Sequence, residues 1–215
     1  MISHAHKTVF VHIPKTAGQS IEMVFLRDLG LTWKERSVLH MLRNKDPEKG
    51  PKQLGHLYAS EYVRCGHISQ DNFAKYTKFT VVRHPYDRVI SEYRYRVMTR
   101  IRRNNPRDEV LDFDAFIRRD ADGEFTDMAR HLVPQTRYIF DKNGQCLVDR
   151  ILRFETLSQD IGSLFIQLFG SARALPYRNK SRAEYGLTPD NLTQEQKQVL
   201  QVRYRRDFEA FNYNC

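Results

Sequence analysis

Residues 8–20 read TVFVHIPKTAGQS, and the fold turns on them. Residues 8–13 are short, β-branched and apolar, the composition of a strand buried on both faces. PKTAG follows without a spacer. From Gln19 onward, apolar residues recur at Ile21, Val24, Phe25 and Leu29, the stripe of an amphipathic helix. A strand, a tight loop and a helix in that order open an α/β fold.

A second unit of the same kind lies further along. Residues 78–82 (KFTVV) read as another buried strand. Pro85 then occupies the first turn of a helix, where a missing N–H is harmless. That helix carries a seam of Val89, Ile90, Tyr93, Val97 and Ile101 and stops before Asn104-Asn105-Pro106. Between the two units, residues 33–43 are expected to be helical and 46–52 (DPEKGPK) a polar break. Residues 56–62 are expected to be helical, and 62–68 (YVRCGHI) a short strand ending near His67.

Downstream, residues 113–118 read as a short helix, and 138–140 and 147–154 as strands near a turn at Asn143-Gly144. Leu157, Ile161, Leu164, Phe165 and Leu168 form a helical stripe closed by Gly170. Thr193-x-x-Gln196 is a capping box that opens a last helix bearing Leu200, Tyr204, Phe208 and Phe211. No repeat, low-complexity tract or linker intervenes, so one α/β domain over residues 1–215 is expected.

The net charge of +9 favours anionic partners: nucleotides, acidic glycans, nucleic acid or a membrane surface. Three widely spaced cysteines, Cys65, Cys146 and Cys215, form no C-x-x-C, which argues against a zinc site or disulfide framework and fits a reducing compartment. The first residues hold no long apolar run, and no segment approaches the roughly 18 apolar residues of a membrane span. A cytoplasmic protein without a membrane anchor is the expectation.

The chemistry concentrates in HIPKTAGQS, residues 12–20. A strand that runs through a loop into a helix gathers unpaired N–H groups around an anion. Lys15 adds a full charge, Gly18 allows close backbone approach, and Thr16 and Ser20 offer hydroxyls. The spacing is not the G-x-x-x-x-G-K-[ST] of an ordinary nucleotide-triphosphate loop, and no persuasive Mg²⁺ partner is present. A plain turn with a solvated lysine is the competing interpretation. In VVRHPYDRVISEY, residues 81–93, Arg83 leaves the end of a buried strand and Ser91 lies two turns into the next helix. Arginine forks onto phosphate oxygens and serine adds a hydroxyl donor. Alternatively, Arg83 is a structural ion-pair partner. If the two strands are parallel neighbours, both loops open at one carboxyl edge, where α/β sheets bind ligands.

HIPKTAGQS closely resembles the 5′-phosphosulfate-binding loop of sulfotransferases that use 3′-phosphoadenosine-5′-phosphosulfate (PAPS), in the carbohydrate O-sulfotransferase-like branch. RHPYDRVIS resembles their 3′-phosphate-binding segment, with the family's Arg83-to-Ser91 spacing. RFETL (153–157) and RNKSR (178–182) are weaker echoes, so the resemblance spans most of the chain. It implies a P-loop-like three-layer α/β fold with a central, mainly parallel sheet flanked by helices. It assigns Lys15, Thr16, Ala17, Gly18, Gln19 and Ser20 to the phosphosulfate, and Arg83 and Ser91 to the 3′-phosphate. Arg178, Asn179, Ser181 and Arg182 would close over the nucleotide. PAPS is then the sulfuryl donor, no metal is expected, and the partner is a hydroxyl-bearing acceptor, with acidic glycans among the candidates.

Sulfuryl transfer needs in-line geometry, charge neutralisation on the leaving group and a base for the acceptor hydroxyl. Lys15 would supply the charge. Of eight histidines, His67 in CGHIS is the chosen base, because a Gly-His pair here resembles the catalytic region of uronyl 2-O-sulfotransferases. Cys65 departs from that pattern, which has histidine on both sides of the glycine. A structural His67 is the competing interpretation; His131, His56 and His40 stand in reserve, with Glu22 and Glu92 if their helices aim inward. Arg96, Arg100, Arg103 and Arg107 recur at helical spacing and would either guide an acidic acceptor or form a solvated face. The rival functions are a nucleotide kinase and a non-catalytic polyanion-binding protein, although no nucleic-acid-binding module is recognisable.

Overall fold

A computed structural model describes residues 1–103, 112–119, 126–176 and 187–215, with the backbone alone described at 100–103 and 127. Four strands form one sheet in the order β1 (Ile2–Ser3), β2 (Thr8–Val11), β3 (Thr77–Val82) and β4 (Arg150–Arg153). β2, β3 and β4 run parallel, with Val11 opposite Thr80 and Thr80 opposite Ile151, while β1 pairs antiparallel with β2.

Alternation along the strands explains the layers. Phe10, Phe79 and Val81 point to one face, where Ile21 and Phe25 of α1 (Gly18–Asp28) meet Ile161 and Phe165 of α8 (Leu157–Phe169). Phe10 and Phe79, opposite each other in the register, stack at 4.8 Å. Val9, Val11 and Val82 point to the other face. There Tyr62 of α2 (Ala59–Arg64), Phe73 of α3 (Gln70–Lys75) and Tyr138 of α7 (Thr136–Ile139) cover them. Each phenyl ring withdrawn from water in this way contributes roughly 1.5–3 kcal/mol. A mainly parallel sheet with helices on both faces is therefore present.

A third apolar cluster lies off the sheet. It joins α4 (Pro85–Arg103), α5 (Phe113–Arg118) and α9 (Gln194–Phe211) through Tyr86, Ile90, Phe116, Tyr204 and Phe208. α6 (Asp127–Leu132) contributes Leu132. The expected caps are in place: the Thr193 side chain accepts from Gln196 N at 3.2 Å, and Gly170 closes α8 at φ +71°. Among the described residues no helix is long and apolar enough to cross a membrane.

Four expectations need correction. β1 was not foreseen. Residues 33–43 were expected to be helical; the helix there covers only Trp33–Leu39 and is of the 3₁₀ type, with Leu39 its one buried residue, so no apolar stripe extends it. The strand expected at 62–68 is the end of α2 and a turn through Gly66 at φ +71°. Glu61 decides this: its carboxylate accepts from Tyr58 N at 2.8 Å, capping α2, and receives Arg130 Nη1 and Nη2 at 2.8 and 2.7 Å. The strand expected at 138–140 is helix α7, with Phe140 left only a bridge to Cys146.

Asp207 of α9 forms that helix. Fully buried, it accepts from Gln135 N at 2.8 Å, Thr136 N at 2.9 Å and Thr136 Oγ1 at 3.0 Å. Gln135 in turn grips the backbone of Arg83, accepting from its N–H at 2.9 Å and donating to its carbonyl at 2.8 Å. Orphaning buried donors costs about 1–3 kcal/mol each. Asp207→Ala is accordingly expected to lose about 3 kcal/mol, lowering the melting temperature by about 6–12 °C for a chain of this size. Thermal unfolding followed by circular dichroism checks this, and an unchanged midpoint would remove Asp207 from the framework.

Candidate active site

Because β2, β3 and β4 are parallel, their exits gather at one edge. His12 to Ala17 leave β2, Arg83 and His84 leave β3, and Phe154 and Glu155 leave β4. In the first of these, Lys15 (φ 72°) and Ala17 (φ 71°) are left-handed, with Thr16 between them at negative φ. Such alternation turns successive N–H groups into a concavity suited to anions. It costs about 1–2 kcal/mol per non-glycine residue. Bonds from Thr16 Oγ1 to the Ile13 carbonyl (2.8 Å) and from Ser20 N to the Ala17 carbonyl (2.9 Å) help to hold it. α1 begins with no side-chain cap and no acid in its first turn. Its N-terminal N–H groups thus face the loop without a carboxylate from the helix itself.

The roles inside the loop differ. Gly18 was expected to admit an anion to the backbone; what presses against it here is the His12 ring. A Cβ at Gly18 would lie 1.9 Å from His12 Nε2. Thr16 is fully buried and its proton is directed to the Ile13 carbonyl. Ser20 is buried and Gln19 is exposed. Lys15 lays its ammonium over the Tyr95 ring, 4.3 Å from the centroid, and makes no ion pair among the described residues. Burial pulls its pKa down, Glu92 opposes this, and Arg83 and Arg96 reinforce it.

Arg83 sits beside the loop. Its guanidinium covers the Phe154 ring at 4.2 Å, and Nη1 reaches the Lys15 carbonyl at 3.4 Å. Asp87 stands 3.7 Å away, and Nε is buried with no hydrogen-bond partner among the described residues. Burial lowers the pKa of Arg83, against the pull of Asp87 and Glu155. Ser91 is buried two turns along α4. The ring Nδ1 of His84 accepts from Tyr86 N at 3.3 Å, and its backbone N–H donates to Glu155 at 2.7 Å, so it shapes the turn. Arg178, Asn179, Ser181 and Arg182 lie outside the described residues, as does Arg107; the side chains of Arg100 and Arg103 are likewise not described.

The histidines fall into two groups. His12, His56 and His131 make a row at the carboxyl edge, with ring centroids 4.6 and 5.1 Å apart. Buried Glu22 bonds His12 Nδ1 at 2.8 Å, and buried Glu92 bonds His131 Nδ1 at 2.7 Å. Arg96 turns back onto Glu92 at 2.5 Å, so this member of the basic series is an internal partner. Burial alone would raise the pKa of Glu92, but His131, Arg96 and Lys15 hold it well below the usual carboxylate range. His67 is elsewhere. Its Nδ1 pairs with His40 Nε2 at 2.8 Å and its Nε2 with the Lys49 carbonyl at 2.7 Å. Burial, then His67 and the terminal amine, pull His40 down to about 4. Neither of these His67 partners belongs to the 12–20 loop. Among the described residues no hydrogen bond, ion pair or ring contact joins His67 to Lys15.

Tyr95, Gln135 and Glu155 were not singled out from sequence. An aromatic next to a basic run was the only available sign for Tyr95; Gln135 and Glu155 carry no local pattern that separates them from surface residues. Among the described residues no group of His, Cys, Asp and Glu is arranged to hold a metal.

The family model described as the sulfotransferase family matches residues 1–214. No curated protein and no solved structure matches the chain.

Gly18→Ala tests the loop. The added methyl meets the ring of a residue held by Glu22, and overpacking of this kind costs about 1–3 kcal/mol. His12→Ala in the same chain should recover part of that loss. Chemical denaturation of the two single variants and the double variant measures the coupling, and strictly additive effects would deny the contact.

Proposed function

The chain belongs to the sulfotransferase family, and from that premise we propose that its donor is PAPS and its acceptor a hydroxyl, with carbohydrate the favoured class. The observation that carries this reading is the pairing of two half-buried cations at one edge. Among the described residues Lys15 makes no ion pair, and Arg83, with only Asp87 at 3.7 Å, keeps a buried Nε without a hydrogen-bond partner. Desolvated cations in this state are stabilised by an anion. A donor with a 5′-phosphosulfate and a separate 3′-phosphate supplies anions for both, in keeping with the P-loop-like resemblance.

The residues present fit that donor. Lys15, the N–H groups of Ala17, Gly18 and Gln19 at the start of α1 and the Ser20 hydroxyl would hold the phosphosulfate. Thr16 would act chiefly by fixing the loop. Arg83 and Ser91 would hold the 3′-phosphate, with Gln135 and Asp207 setting the backbone of Arg83. The basic 178–182 segment would add Arg178, Asn179, Ser181 and Arg182. Bound there, PAPS supplies a sulfuryl group activated for in-line displacement. Lys15 would neutralise charge that develops on the leaving phosphate oxygen. Nothing in this scheme calls on a metal. The net charge of +9 suits an acidic glycan among the acceptors.

Calorimetric titration with 3′-phosphoadenosine-5′-phosphate, the nucleotide product, alongside AMP and ATP without metal, tests the reading. The 3′-phosphorylated nucleotide should bind in preference to both. A lost charge-assisted contact is worth about 1.5–3 kcal/mol, so Arg83→Ala should weaken it by about 10- to 150-fold. A preference for Mg·ATP would favour a kinase. Absence of nucleotide binding, with a steep salt dependence for polyanions, would favour a binding protein.

A further inference from the structure

Building on the sulfuryl-transfer reading above, we propose that His56 takes the acceptor proton, with the His12–Glu22 and His131–Glu92 pairs as positioning residues on either side.

His56 Nδ1 lies 3.3 Å from the carbonyl oxygen of His12, the residue at which the anion-binding loop begins. A carbonyl only accepts, so Nδ1 carries the ring proton and Nε2 is left with its lone pair. The ring is held edge-on by His12 at 4.6 Å and His131 at 5.1 Å. The row continues from His131 to Tyr95 at 6.5 Å, and Lys15 Nζ lies 4.3 Å from the Tyr95 centroid. One chain of rings thus connects His56 with the lysine expected at the sulfuryl group. His67, in contrast, spends both ring nitrogens on His40 and Lys49.

The buried carboxylates give the row its charge balance. Glu22 and Glu92 bond the outer two imidazoles, and their negative charge offsets a proton arriving at the centre. Burial, and then His12 and His131, keep the pKa of His56 well below the ordinary histidine range, so its resting form is the neutral base. A bound anionic donor raises it again. In the step itself, the acceptor oxygen forms its bond to sulfur and its proton passes to His56 Nε2. The bond from sulfur to the bridging oxygen breaks, and its electron pair stays on the 5′-phosphate oxygen beside Lys15.

Two reactions separate a base from a structural residue. Hydrolysis of PAPS uses water, which needs a base. Desulfation of p-nitrophenyl sulfate onto added 3′-phosphoadenosine-5′-phosphate releases a phenolate that needs none. His56→Gln should slow the first by about a hundredfold or more, while leaving nucleotide affinity and the second rate within about threefold, on the scale of uncompensated surface effects. Equal losses in both reactions, or no loss in either, would overturn the assignment. A selective loss in His67→Gln instead would return the role to His67. As an independent check, ¹⁵N shifts of the His56 ring should report a protonated Nδ1 and a bare Nε2, and the opposite tautomer would also overturn it. Failure of the wild type to bind the nucleotide or to show either reaction would sink the sulfotransferase reading from which the assignment starts.

Discussion

The parallel alignment of Thr8–Val11, Thr77–Val82 and Arg150–Arg153 is the constraint from which the site follows. Parallel strands must return through a crossover, so each of these strands releases its chain at the same end. The loop carrying Lys15, the turn carrying Arg83 and the Phe154–Glu155 corner become neighbours although they are far apart in sequence. The Phe10–Phe79 stack and the valines on the opposite face bury the sheet on both sides. A register slip of one residue would send each of these side chains to the wrong layer.

Precision at that edge comes from polar groups that can be satisfied in only one arrangement. Asp207 collects the donors of Gln135 and Thr136, and Gln135 holds both backbone groups of Arg83. The guanidinium is thereby set over Phe154 beside Lys15, where burial acts against its charge and Asp87 and Glu155 support it. The Lys15 loop holds two left-handed non-glycine residues against bonds from Thr16 and Ser20. Each such bond contributes about 1 kcal/mol, comparable with the strain it opposes. The protein maintains a costly arrangement at the edge, as expected of a place that meets a ligand.

The histidines show how far local pattern carries. CGHIS reads as the end of a strand leading into a polar loop, an environment suited to a base. Glu61, buried against Arg130, makes the preceding segment a helix, and His67 pairs with His40 and the Lys49 carbonyl. His56 has no such local signal, yet it is fastened to the carbonyl that starts the loop. Likewise Arg96 belongs to a run that reads as an exposed basic face, and it is drawn inward by Glu92. A buried glutamate is invisible to periodicity, because a helix presents it at a spacing equally suited to a surface residue.

By itself the sequence determined the local units: the strand, loop and helix of residues 8–29, the strand and helix around Arg83, the helices capped by Thr193 and closed by Gly170, and the two motifs that mark the family. These depend on hydrophobic period, capping chemistry and short spacings, all written within a few turns of chain. Tertiary structure alone decided that residues 62–64 close a helix ahead of a turn and that 138–139 belong to another, that His12 presses on Gly18, and that His12, His56 and His131 stand in one row between two buried carboxylates. Those outcomes rest on partners tens of residues away, Arg130 for Glu61 and Asp207 for Thr136. A contact at that separation leaves no trace in local pattern, because its free energy is realised only when the sheet has brought the two ends together.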